Sequence, residues 1–141
     1  GSSLQTPTMV SPTTVSPAPN FVIKTRYTSG SKVFINVCES SAVPSRGRKG
    51  PTLLFGLPRY SVDKTGEKCH VMDVILNVAI LAEVNEDRSG AAKEDLCTRI
   101  MDAVRETKQL QPDSNSDIEK IFSLPRLTKV PLYINFYMHN Q

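Results

Sequence analysis

Two β-forming runs flank a short turn and set the terms for everything else. Phe21-Val22-Ile23-Lys24-Thr25 and Lys32-Val33-Phe34-Ile35-Asn36-Val37-Cys38 are rich in β-branched and aromatic residues. Between them, Arg26-Tyr27-Thr28-Ser29-Gly30-Ser31 supplies the turn residues. The pattern predicts a β-hairpin. In its second strand Val33, Ile35 and Val37 share one face, and Lys32, Phe34 and Asn36 share the other. Symmetric pairing about the turn sets Lys24 opposite Lys32.

Downstream, Thr52–Phe55 reads as a short strand ending at the breaker Gly56-Leu57-Pro58. Arg59–Val62 and Cys69–Leu76 read as strands around an Asp63-Lys64-Thr65-Gly66 turn, and 78–84 as a short helix. Ala91–Gln109 is the clearest helix, with Leu96, Ile100, Ala103 and Val104 on one stripe and Pro112 as a stop beyond it. Ser116-Asp117-Ile118-Glu119 has the spacing of a capping box for a short helix, and Val130–Met138 suggests a last strand. The expected fold class is α+β: a mixed or antiparallel sheet beginning with the hairpin, with helices packed against it.

At 141 residues the chain is long enough for one domain. Residues 1–20 carry no charge and are Ser, Thr, Pro and Gln with a few small apolar residues, a composition that offers little apolar surface to offset ordering entropy. They read as a flexible tail behind a tag remnant, Gly1-Ser2-Ser3, on what is expected to be a piece of a longer protein. Residues 21–141 then form the domain. No apolar run approaches the length of a membrane-spanning helix. Three cysteines, Cys38, Cys69 and Cys97, cannot all pair within one chain. That favours a reducing compartment, the cytoplasm or the nucleus. Residues 21–70 hold nine Lys and Arg against three Asp and Glu, whereas residues 71–141 hold eight against eleven. A basic half that coincides with the hairpin suggests a local anionic partner.

Several chemistries lack their residues. Gly30-Ser31-Lys32 is only a fragment of a phosphate loop, and it leads into a strand rather than a helix. Cys69 and His70 are adjacent on a strand and point to opposite faces, and Cys38, Cys97 and His139 are scattered, so neither a zinc site nor a nucleophile pair is indicated. Asp73 interrupts an apolar strand, which suits a buried, hydrogen-bonded carboxylate better than a catalytic acid. No catalytic residue, metal or cofactor is expected. Lys24 and Lys32 admit two readings: solvated lysines guarding strand ends, or a two-pronged clamp for a dianion such as phosphate. Lys64, Arg126 and Lys129 are candidate supports.

These residues resemble a known family. Phe21-Val22-Ile23-Lys24-Thr25, the Lys32–Cys38 run and Ala42-Val43-Pro44 look like the start of the PIH domain, the N-terminal domain of proteins that interact with the ninety-kilodalton heat-shock chaperone. Gly56-Leu57-Pro58-Arg59, the stretch Asp63-Lys64-Thr65-Gly66-Glu67-Lys68-Cys69, then Asp73 and Asn77, match further family positions in order. The resemblance implies an adaptor rather than an enzyme. It implies phosphoserine recognition in acidic Asp-Ser-Asp-Asp/Glu client motifs, within a co-chaperone assembly built on RuvB-like ATPases that is reached through regions outside this chain. The family's phosphate-binding lysines fall on Lys24 and Lys32. A further family lysine falls on Thr65, with Lys64 one residue earlier, and Arg126-Leu127-Thr128-Lys129 resembles a late basic element. The loop Ser45–Pro51 is basic where the family often carries an acidic insert. Related PIH proteins in axonemal dynein arm assembly are the close alternative. A basic nucleic-acid-binding module using Arg46, Arg48 and Lys49 is the distant one, and without a stacking motif nucleic acid is not an expected partner.

Overall fold

A computed structural model describes residues 13–15, 17–107, 122 and 136–138. In chain order the elements are β1 (Thr13–Val15), β2 (Ala18–Arg26), β3 (Lys32–Glu39), β4 (Arg46–Gly47), β5 (Gly50–Pro51), β6 (Leu54–Phe55), β7 (Arg59–Val62), β8 (Lys68–Leu76), α1 (Val78–Glu86), α2 (Ala91–Glu106) and β9 (Phe136–Met138). The fold is α+β, and its main sheet is mixed. β2 and β3 form the antiparallel hairpin, β3 pairs with β8 in parallel, and β6 and β7 pair antiparallel with the other edge of β8. With neighbours on both sides, β8 is buried on both faces from Cys69 to Leu76, as its nearly continuous apolar run requires. β6 and β7 act as one edge strand broken at Gly56-Leu57-Pro58. Pro58 has no N–H to give a ladder, and the Gly56 N–H still donates to the Asp73 carbonyl at 2.9 Å.

The two faces of the sheet differ. On one, Ile23, Val33, Ile35, Val37, Met72, Val74 and Leu76 meet Ile80, Leu81 and Val84 of α1 and Leu96, Cys97, Ile100, Met101 and Val104 of α2. Asn77 starts α1 by accepting a hydrogen bond from the Ala79 N–H at 2.8 Å, and its amide donates to the Val43 carbonyl at 2.8 Å. α2 stops at Glu106, with Thr107 already extended, short of the expected Gln109. The opposite face carries Val22, Phe34, Cys69 and Val71 as one small cluster and Cys38, Val43 and Ile75 as another.

Order begins before Phe21. Thr13–Val15 pairs with Phe136–Met138, and β2 starts at Ala18. Composition misled here because a strand needs a backbone partner more than apolar side chains. Ala18 and Pro19 pair with Glu39 and Cys38 across an irregularity before Phe21, and the Asn20 amide donates to the Glu39 carboxylate at 2.7 Å. Pro19 fits because β2 is an edge strand. The expected helix at Ser116–Glu119 and the first part of the expected last strand lie outside the described residues.

The hairpin register also differs from the symmetric expectation. Arg26 is opposite Lys32, and Lys24 is opposite Phe34. The Tyr27 N–H donates to the Ser31 carbonyl at 2.9 Å and the Gly30 N–H to the Tyr27 carbonyl at 2.8 Å, with Gly30 at φ 102°. This tight closure keeps Arg26 in the ladder and moves the pairing centre one residue along.

On the helix-covered face, His70 is buried between Tyr27 and Tyr60. Its Nδ1 shares a hydrogen bond with the Tyr27 hydroxyl. Burial lowers the imidazole pKa to about 4 from an ordinary 6.5. Between those values the unfolded chain binds a proton that the folded chain refuses. His70's contribution is therefore complete above about pH 6.5 and is lost as pH falls toward 4. Urea denaturation should show stability dropping by about 2–3 kcal/mol over that window. In His70→Gln the drop should largely vanish.

Candidate functional site

The hairpin end gathers cations on the face away from the helices. Lys24, Arg26 and Lys32 share that face with Phe34. Lys24 is therefore a diagonal neighbour of Lys32, with backbones roughly 7–8 Å apart. Arg26 and Lys32 are the like charges placed directly across the ladder, and each is drawn aside by a local acceptor. Nη1 of Arg26 donates to the Gly30 carbonyl at 2.9 Å. Nζ of Lys32 donates to Oδ2 of Asp63 at 2.5 Å and lies 3.5 Å from Oε1 of Glu67. The Lys32 side chain is only 14% exposed, so a simple solvated strand-end lysine does not describe it.

Asp63 comes from the β7–β8 turn, which the sheet places beside the start of β3 through the pairing of Lys32 with Cys69. Its Oδ1 accepts from the Thr65 N–H at 2.9 Å, the Thr65 hydroxyl at 2.7 Å and the Glu67 N–H at 3.0 Å. One oxygen builds the turn and the other holds Lys32. The hydrogen bond from Lys32, followed by that from Thr65, holds the Asp63 carboxyl well below the usual carboxylate range, and the same bond to Asp63 raises the Lys32 ammonium. Lys64 is exposed on this turn, next to the residue that grips Lys32. The hydroxyl of Thr65 is engaged in the turn. Lys24, Lys32 and the Lys64 turn thus lie at one end of the sheet. Arg126 and Lys129 lie outside the described residues.

Sequence reasoning missed Arg59. Asp73 is buried at the centre of β8 and receives both guanidinium ends of Arg59, the Nη2–Oδ1 contact being 3.3 Å. It also accepts from the Asn36 amide at 2.8 Å. The structural reading of Asp73 therefore holds. The one available signal was the pairing of singletons: a lone carboxylate in an apolar strand needs a lone cation at matching parity on a neighbour. Arg59 pairs with Val71, two residues from Asp73 on the same face.

The basic loop is tied elsewhere. Nη2 of Arg46 lies 3.2 Å from Oε2 of Glu83 on α1, and Arg99 on α2 donates to the Lys49 carbonyl at 3.2 Å. The loop is thus held against the helices, through the Arg46 side chain and the Lys49 backbone, while the hairpin cations lie on the other face of the sheet. The thiols are buried and poorly nucleophilic. Burial pushes Cys38 up to about 12 and Cys97 to about 11, and raises Cys69 as well. Cys69 and His70 point to opposite faces of β8, as expected. Among the described residues no group of three or more His, Cys, Asp or Glu side chains could hold a metal ion.

Comparison with known proteins adds three findings. A family profile described as the PIH1 N-terminal domain matches residues 2–116. The PIH1 domain-containing protein 1 of Xenopus laevis is 28% identical over 81 residues, covering 45% of this chain and 27% of that protein. The chain therefore spans about a quarter of the length of this curated relative. The solved N-terminal domain of yeast PIH1p superposes with a TM-score of 0.73 at 21% identity, over 92% of this chain and 94% of the yeast chain. That likeness is one of fold.

Because Asp73 is the buried partner of Arg59, Asp73→Ala should destabilise the domain by about 3–5 kcal/mol. Chemical denaturation measures this directly. Glu86→Ala, at an exposed position on α1, should change stability by no more than about 0.5 kcal/mol.

Proposed function

The chain belongs to the PIH1 N-terminal domain family, and from that premise we propose that it is the client-recognition domain of a co-chaperone adaptor that binds acidic phosphoserine peptides. The observation that carries this reading is the gathering of Lys24, Lys32 and the Lys64 turn at one end of the family's domain, on the sheet face opposite the helices. A phosphoserine brings charge near −2 and three strong acceptor oxygens. Lys24 and Lys32 take the phosphate, Lys64 meets an acidic flank, and Arg126 and Lys129 add basic support. Attachment to the RuvB-like ATPase and heat-shock chaperone assembly belongs to regions outside this chain, in the cytoplasm or nucleus. The work is recognition rather than catalysis, consistent with the raised thiol pKa values and with His70 committed to Tyr27.

Calorimetry with paired Asp-Ser-Asp-Asp peptides tests the reading. The phosphorylated peptide should bind at least about ten times more tightly, since one charge-assisted contact is worth about 1.5–3 kcal/mol. Lys24→Ala and Lys32→Ala should each weaken it by about 10- to 150-fold. Arg48→Ala and Lys49→Ala, on the helix-side loop, should cost less than about 5-fold. Equal losses at all four positions would mark a diffuse polyanion surface instead. Lys32→Ala also deprives Asp63 of its cation, so its thermal stability is measured alongside, whereas Lys24→Ala should melt like the parent.

A further inference from the structure

The proposed phosphate lysine is already in contact with two carboxylates, and the two are held differently. Asp63 is fixed: its Oδ1 takes three hydrogen bonds from its own turn while Oδ2 sits 2.5 Å from Lys32. Glu67 reaches the same ammonium at 3.5 Å, and its side chain is 55% exposed. Its backbone is anchored independently, through its N–H to Asp63 Oδ1 and its carbonyl to the Asp63 N–H at 2.9 Å. The carboxylate can therefore swing away without opening the turn. An ammonium has three N–H donors, and Asp63 and Glu67 face two of them.

We propose that Glu67 is an internal competitor at the anion site: its carboxylate occupies Lys32 in the ligand-free domain, and an incoming phosphate binds by displacing it. This rests on the phosphopeptide reading above and adds an affinity threshold to it. A ligand carboxylate that reaches Lys32 exchanges one carboxylate for another. It gains no charge, and it loses to the tethered group's high effective concentration. A phosphate brings about twice the charge and more acceptors, so it gains in the exchange. Displacement costs every ligand the same factor, so a peptide with aspartate or glutamate in place of phosphoserine, already the weaker ligand, keeps little net affinity while the phosphopeptide still binds.

The experiment measures, by calorimetry at one ionic strength, an Asp-phosphoSer-Asp-Asp peptide and an Asp-Glu-Asp-Asp peptide against the parent, Glu67→Gln and a charge control, Glu86→Gln on α1. An exposed ion pair is worth about 1.5- to 5-fold in an equilibrium, so Glu67→Gln should tighten both peptides by that factor and Glu86→Gln should change neither. In the parent, the Glu67 carboxyl carbon resonance should move when the phosphopeptide is added. Unchanged or weaker binding in Glu67→Gln, with the parent still binding phosphopeptide, overturns the competitor and leaves the phosphopeptide reading intact. Binding by Glu67→Gln alone keeps the competitor and removes the phosphopeptide reading for the native domain. Binding by neither overturns both.

Discussion

A carboxylate at the centre of a strand buried on both faces has to be answered by the strands beside it. Asp73 makes that demand on β8. Arg59 answers from β7 and Asn36 from β3, so one buried group binds the strands on both sides of β8. Removing one partner of a buried pair costs more than the pair contributes, because the remaining charge cannot be rehydrated. The apolar residues of the helix-covered face tolerate exchange among similar shapes, whereas the parity of Arg59, Asn36 and Asp73 permits no slip. Shifting any of these strands by one residue would send its polar group into the helix-side core.

The same rule acts at the rim with a different result. Lys32 sits on an interior strand, one residue before the buried run, and its charge is met by a turn rather than by water. Asp63 makes two structures with one side chain, closing its own turn and fixing the neighbouring ammonium. The hairpin end is therefore less positive than its lysines suggest, since two carboxylates stand among the cations. Under the proposed reading an incoming anion has to outcompete those carboxylates, a threshold that a bare basic patch would not set.

What could be read from the chain was whatever rests on local pattern. The β-branched runs of β2 and β3, the apolar length of β8 and the stripe of α2 each come from side chains close in sequence, and each formed where the pattern lies. The hairpin register was lost because it depends on whether Tyr27 closes the turn tightly, a matter of two backbone hydrogen bonds. β1 was lost because its partner, β9, lies more than a hundred residues away. Asp73 was recognised as structural, but Arg59 was not assigned to it, since only the β7–β8 pairing brings them together. For the candidate site, the hairpin pattern had already singled out Lys24 and Lys32 and the resemblance pointed to the same pair, while the sheet pairing puts the Lys64 turn at the same end. The carboxylates on Lys32 were unforeseen because an ion pair between strand and turn leaves no periodic trace.

Where a cation stands in the fold also sets how much it can contribute to binding. Immobilising a free lysine costs up to about 1.5–2 kcal/mol of rotamer entropy. For Lys32 most of that loss is taken during folding, because Asp63 holds the ammonium and Asp63 is itself held by Thr65 and Glu67. In the proposed site Lys64, exposed on the turn, would be ordered only by the ligand, so its contact would return less. Lys24, half-buried on edge strand β2 opposite Phe34, lies between these cases. A ligand that meets Lys32 first finds its geometry prepared and gives up only the exchange with Glu67. Recognition should therefore be built outward from Lys32, with Lys24 adding grip and Lys64 adding mainly charge.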